Sequence, residues 1–187
     1  MIYPPVVIQG LGTREQGLEK RYFLTGGRLA RTKHVDIIVD ACTKLGVPLK
    51  VFGKSFAGYG EELRQKAGKN VEFVGEVSDE EKKYLMAGAK AFLFASVDED
   101  FGIIPVEAMG AGLPVIAYKS GGVKETVIEG ETGLFFTELT IVSLSAAIKK
   151  FETIKFDPKV CRKQAKKFSK EQFLKEIKTF ISNKLIV

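Results

Sequence analysis

Residues 91–118, AFLFASVDEDFGIIPVEAMGAGLPVIAY, decide the fold. Two short apolar runs, AFLFA (91–95) and PVIAY (114–118), flank a glycine turn and a helical pattern over 103–111. Neither run alternates with polar residues, which is the pattern of parallel strands covered on both faces. Gly112 and Pro114 end the helix, whose first turn is expected at Pro105, where a proline costs no hydrogen bond. The stretch is therefore a strand–helix–strand unit. Outward from it the same grammar repeats. Further strands are expected at YFLTG (22–26), LKVFG (49–53), VEFVG (71–75) and GLFF (133–136), with helices near 33–45, 59–67, 79–88 and 123–128. Such alternation predicts an α/β fold, a doubly wound parallel sheet of Rossmann-like type, closed by terminal helices. Ser78 and Glu81 form a capping box before the helix at 79–88, and Ser169 with Gln172 repeats it before the last helix. In that last helix Phe173, Leu174, Ile177, Phe180 and Ile181 make one apolar stripe.

Composition narrows the function classes. With 187 residues and 45% hydrophobic content, the chain can bury one substantial core. It has no apolar run of about 18 residues and no secretory signal at its start, so a cytoplasmic setting is expected. Cys42 and Cys161 are isolated, which suits reduced, buried thiols. One histidine, His34, and two cysteines are too few for a zinc site; His34 itself reads as a first-turn surface residue. The net charge of +6 is concentrated in residues 144–187, which hold twelve Lys/Arg against four Asp/Glu. Two readings stand: solvated lysine faces on terminal helices, or a basic surface meeting anionic lipid at the cytoplasmic face of a membrane. Nucleic acid is disfavoured, because no RNA-binding signature or pair of stacking aromatics accompanies the charge.

In doubly wound sheets, ligands bind beyond the C-terminal strand ends. That rule selects the loops at 26–33, 53–58, 75–78, 95–104 and 118–123. In the first, Gly26 and Gly27 permit a tight turn, while Arg28 and Lys33 supply donors suited to a diphosphate. The spacing of neither a Walker loop nor a Rossmann GxGxxG is present, and two solvated basic residues remain the alternative. In the fourth, Glu99 precedes the Gly102 turn and Glu107 follows it by about one helical turn. These acids could be a catalytic pair, separate ligands for sugar hydroxyls, or helix N-terminal acids complementing the dipole. Asp98 and Asp100 read as capping or solvated neighbours.

Taken in order, EDFGIIPVEAMGAGLPVIA (99–117) and SGGVKETVIEGETGLF (120–135) resemble the E-x7-E region of the retaining GT-B glycosyltransferases, glycosyltransferase family 4. GGRLARTKHVD (26–36) resembles that family's diphosphate loop, and VEFVGEVSDEE (71–81) and AKKFSKEQFLKEI (165–177) are similar to its mannosyltransferase-like branch. His34 departs from the residues usual at that position.

The resemblance implies a nucleotide-sugar donor domain, the C-terminal half of a GT-B enzyme, moving a hexose with retention. Arg28 and Lys33 would neutralise the diphosphate, and Glu99 would hold the sugar with the amides around Phe101, Gly102 and Ile103. Glu107 would bind the ribose, Gly27 would line the approach, and the Gly53–Lys54 and Glu76–Val77 loops would frame the base. GDP-mannose is favoured over UDP- or ADP-sugars by resemblance alone. No cofactor beyond that substrate is implied, and no bound metal. IYPPV (2–6) resembles the linker from the acceptor half, so residues 1–20 are expected to be linker and lead-in, 21–155 the nucleotide-sugar domain, and 156–187 helices packing on it or reaching back toward the acceptor domain. On this reading the chain alone catalyses no transfer. The rival is a non-catalytic nucleotide-binding module.

Overall fold

The computed structural model describes residues 2–8 and 21–185; the remainder of the expected lead-in, 9–20, lies outside the described residues. Among the described residues six strands form one sheet: β1 (Tyr22–Gly26), β2 (Leu49–Phe52), β3 (Val71–Gly75), β4 (Ala89–Phe94), β5 (Val115–Tyr118) and β6 (Gly133–Phe136). Their order is β3-β2-β1-β4-β5-β6 and every neighbouring pair is parallel. The chain builds outward from β1 through β3, then returns to β4 on the other side of β1. That reversal opens a crevice between the C-terminal ends of β1 and β4.

The central strands are buried on both faces, so their side chains divide between two cores. Phe23, Ala91, Leu93 and Ile116 enter one core, and Leu24, Phe92, Phe94 and Val115 enter the other. The first core is closed by α1 (Val35–Leu45), α2 (Tyr59–Lys66) and α6 (Ile141–Phe151). In α6, Leu144, Ala147, Ile148 and Phe151 form the buried stripe at i, i+3, i+4, i+7 spacing. The second core is closed by α3 (Asp79–Ala87), α4 (Ile103–Gly110) and α7 (Pro158–Lys166), with α4 and α7 packed directly together. The four-residue α5 (Val123–Thr126) and the long α8 (Lys170–Leu185) complete the element order.

Three local expectations change. Helix α1 begins at Val35, because Arg31–Lys33 is a separate 3-10 turn ended by His34 in the left-handed conformation, φ 48°. The His34 N–H closes that turn on the Arg31 carbonyl at 3.0 Å, so Lys33 precedes the helix. Pro105 is the third residue of α4, not the first; it still falls among the first four positions, whose N–H groups have no intrahelical acceptor in most helices. At the last helix the Gln172 N–H donates to Ser169 Oγ at 3.3 Å, but the Gln172 side chain donates to Glu176 at 2.7 Å and leaves the box half made. The Ser78–Glu81 box is complete.

From residues 2–8, Tyr3, Val6 and Ile8 pack on the second core. Val6 N–H donates to the Phe168 carbonyl at 2.9 Å, and the Tyr3 ring packs on Phe101 and Phe168 with centroids 5.9 and 5.1 Å away. Phe173 and Ile177 of α8 are half-buried, whereas Leu174, Phe180 and Ile181 are exposed. Among the described residues no helix is long and apolar enough to cross a membrane.

Candidate functional site

A cleft of about 410 Å³ opens at the reversal of strand order. Its floor is Thr25, Gly26 and Gly27 from the end of β1, with Phe94 and Ala95 from the end of β4. Gly102, Ile103 and Ile104 at the start of α4 form one wall. Gly102 caps α4 with φ 82°, and the N–H groups of Ile103 and Ile104 have no intrahelical acceptor by position. The end of a helix dipole thus meets the cleft. Arg28, Lys33, Lys82, Glu99 and Glu107 supply its charge.

Close backbone packing holds the first loop in place. An ideal Cβ on Gly53, φ 120°, would lie 1.7 Å from the Gly27 carbonyl oxygen. The Leu29 N–H donates to the Lys54 carbonyl at 2.9 Å, and the Phe56 N–H to the Leu29 carbonyl at 3.0 Å. These bonds present Arg28, whose guanidinium lies 5.7 Å from the Phe56 ring centroid. On the other side of the cleft, the Gly122 N–H donates to the Glu99 carbonyl at 2.8 Å. Asp98 takes a left-handed φ of 49° and exchanges hydrogen bonds with Ser120: its N–H donates at 3.2 Å and its carboxylate accepts at 3.1 Å. Asp98 thus braces the loop that carries Glu99.

Each carboxylate of the pair meets a lysine. Lys33 Nζ donates to Glu99 Oε2, which also accepts from Ser96 Oγ at 2.9 Å. Lys82 Nζ lies 3.2 and 3.1 Å from Oε1 and Oε2 of Glu107, and 3.1 Å from Asp79 Oδ1. Burial lowers the Lys82 pKa, but the Glu107 and Asp79 carboxylates outweigh it and hold the ammonium above the ordinary lysine value. The two acids are therefore separated, each paired with its own lysine.

Of the sequence-predicted residues, Arg28, Lys33, Glu99, Glu107, Gly27, Gly102 and Ile103 line this cleft together. The Phe101 side chain turns away into the second core. Gly53 supports Gly27 from behind; Lys54 and Glu76 pair at 3.6 Å on an exposed rim; Val77 packs against the second core. Sequence reasoning missed Lys82, Ser96 and Ile104. Lys82 carried one signal, its place in the first turns of a strongly capped helix opening from a selected loop. Among the described residues no group of three His, Cys, Asp or Glu side chains could hold a metal ion.

Sheet order and crevice define a doubly wound, Rossmann-like α/β domain of the kind that forms one half of the GT-B fold. The apo lipopolysaccharide outer core galactosyltransferase WaaB superposes with a TM-score of 0.78 over 98% of this chain and 55% of its own, at 20% identity. Anabaena HepE, solved in complex with UDP and glucose, superposes with a TM-score of 0.79 over 97% of this chain and 56% of its own, at 25% identity. Residues 13–168 match the family described as glycosyl transferases group 1, and the chain belongs to that family. The alpha-1,3/1,6-mannosyltransferase ALG2 of Homo sapiens is 35% identical over 124 residues, covering 64% of this chain and 30% of the relative. The Dictyostelium discoideum ALG2 is 30% identical over 140 residues, covering 62% and 33%. The chain therefore spans about a third of these relatives and about half of the two solved chains.

Proposed function

We propose that this chain is the donor-binding half of a retaining glycosyltransferase that moves a hexose from a nucleotide-sugar to an acceptor held by a second domain. The observation that carries the reading is the meeting of Arg28 and Lys33 with Glu99 and Glu107 around one helix N-terminus. Cations and helix amides suit the diphosphate, and carboxylates suit hydroxyls. Arg28 and Lys33 neutralise charge that grows on the leaving diphosphate, which is where preorganised donors act most strongly. Glu99, steadied by Ser96, accepts from hydroxyls of the transferred sugar, and Glu107 accepts from the ribose. The base lies toward Gly53–Lys54 and Glu76–Val77. The two mannosyltransferase relatives support mannose as the sugar, and the bound UDP of HepE supports a nucleoside diphosphate carrier. The matched relatives extend well beyond this chain, which supports an acceptor half elsewhere in the full enzyme and no transfer by this chain alone.

Calorimetry of the chain with GDP, UDP and ADP and their hexose conjugates tests the reading. One nucleoside diphosphate binds, and Arg28→Ala weakens it about tenfold or more, the effect of losing a charge-assisted hydrogen bond. Unchanged affinity in Arg28→Ala overturns the clamp; transfer by the isolated chain overturns the division into halves.

A further inference from the structure

We propose that Lys82 is a positioning residue that fixes Glu107 as a hydroxyl acceptor, and so sets the preference of the cleft for ribose over deoxyribose. The inference rests on the reading of the cleft as a nucleotide site, and it concerns a residue outside both charged loops. Lys82 lies on α3, 25 positions before Glu107, and its ammonium spans the gap between α3 and α4.

The donor count carries the argument. An ammonium has three N–H donors. Three carboxylate oxygens lie within 3.2 Å of Lys82 Nζ: both of Glu107 and one of Asp79. Its donors are thereby spoken for, so it is poorly placed to grip a phosphate, unlike Arg28. Glu107, by contrast, keeps capacity. A carboxylate has about four lone-pair sites, and Lys82 engages one on each oxygen. What remains accepts from a donor entering the cleft, and the ribose hydroxyls are such donors.

Burial makes the positioning matter. The side chains of Lys82 and Glu107 are only 21% and 19% exposed, so removal of the lysine leaves a largely desolvated carboxylate without its counter-ion. That carboxylate then turns toward water, and the change spoils an acceptor aimed at a hydroxyl. The lysine is in turn fixed from below. Its backbone N–H donates to the Ser78 carbonyl at 2.9 Å, inside the turn closed by the Ser78–Glu81 capping box.

The test compares each nucleoside diphosphate that binds the wild-type chain with its 2′,3′-dideoxy counterpart, which lacks both hydroxyls. The wild type favours the ribonucleotide by about tenfold or more, because a site built around a hydroxyl rejects the analogue without it. In Lys82→Met that preference falls below about threefold, chiefly through weaker ribonucleotide binding, and Lys82→Arg retains most of it. Lys82→Gln repeats the measurement with a polar side chain, and thermal melts select the folded variants. Arg28→Ala serves as the contrast, weakening both ligands alike. An unchanged preference in folded Lys82→Met and Lys82→Gln, or equal weakening of both ligands, overturns the assignment and leaves the nucleotide site standing. If the wild type binds no nucleoside diphosphate, the parent reading falls and this one falls with it.

Discussion

Lys33 Nζ donates to the same Glu99 oxygen that Ser96 Oγ reaches at 2.9 Å. This contact joins the loop after β1 to the loop after β4, the two strands on either side of the reversal in sheet order. On the proposed reading, a diphosphate entering the cleft would find Lys33 already engaged. Binding would then exchange a carboxylate partner for a phosphate partner on one ammonium and free Glu99 to accept from sugar hydroxyls.

That exchange makes Glu99→Gln informative. The substitution removes the competing charge, so a nucleoside diphosphate binds about two- to fivefold more tightly, the usual worth of a partly exposed ion pair. The extra affinity of the nucleotide-sugar over the bare diphosphate shrinks at the same time. Calorimetry with both ligands at low and high salt separates the two effects. Weaker diphosphate binding in Glu99→Gln counts against competition for Lys33.

How legible this arrangement was depended on the range of the interaction. The strands were readable because burial on both faces makes a continuous apolar run: in β4, Phe92 and Phe94 face one layer while Ala91 and Leu93 face the other. Glu99 and Glu107 were readable because a single turn and one helix fix their separation. Lys82 was not, since its contact with Glu107 depends on α3 and α4 both packing against β4. His34 hid its conformation for a different reason. A left-handed φ at a non-glycine residue leaves little trace in sequence, so the helix start was placed two residues early. Helix α6 went unplaced, although its stripe from Leu144 to Phe151 has plain helical spacing.

Alkaline pH should weaken the domain. Burial pushes the Cys42 thiol from 9.0 up to about 12, and Tyr59 is raised by burial and by its hydrogen bond to Asp36. Both groups hold their protons more tightly when folded. Their contribution is complete below the unfolded values and is lost as pH rises through the folded ones. The melting temperature is thus expected to fall as pH climbs from about 9 toward 12. Cys42→Ala flattens the early part of that decline in a pH series of thermal melts, and an unaltered slope removes Cys42 from the account.

The exposed stripe of α8 contributes little to the stability of this chain. Phe180 is 54% and Ile181 48% exposed, whereas Leu144 is fully buried against the sheet. Phe180→Glu should change unfolding free energy by no more than about 0.5 kcal/mol. Leu144→Ala should cost about 2–5 kcal/mol. Urea denaturation measures both, and a large loss in Phe180→Glu reveals packing on α8 that the exposures deny.

Gly53 and Gly46 offer a matched pair in which only one position supports the cleft. Both have positive φ, 120° and 67°. A Cβ at Gly46 meets nothing within 4 Å, so Gly46→Ala bears only the backbone preference, about 1–2 kcal/mol. At Gly53 the methyl would lie 1.7 Å from the Gly27 carbonyl oxygen and 2.7 Å from its carbonyl carbon. No rotamer relieves that overlap, because the obstacle is backbone. The loops must separate, against the 2.7 Å bond from the Gly53 N–H to the Gly75 carbonyl and the 2.9 Å bond from Leu29 to Lys54. Gly27 moves with them, and Arg28 moves with Gly27. Gly53→Ala is accordingly expected to destabilise the domain more than Gly46→Ala and to weaken nucleoside diphosphate binding, which Gly46→Ala leaves intact. Paired urea melts and calorimetry decide the matter: if Gly53→Ala loses stability yet binds normally, the support of Arg28 through Gly27 is wrong.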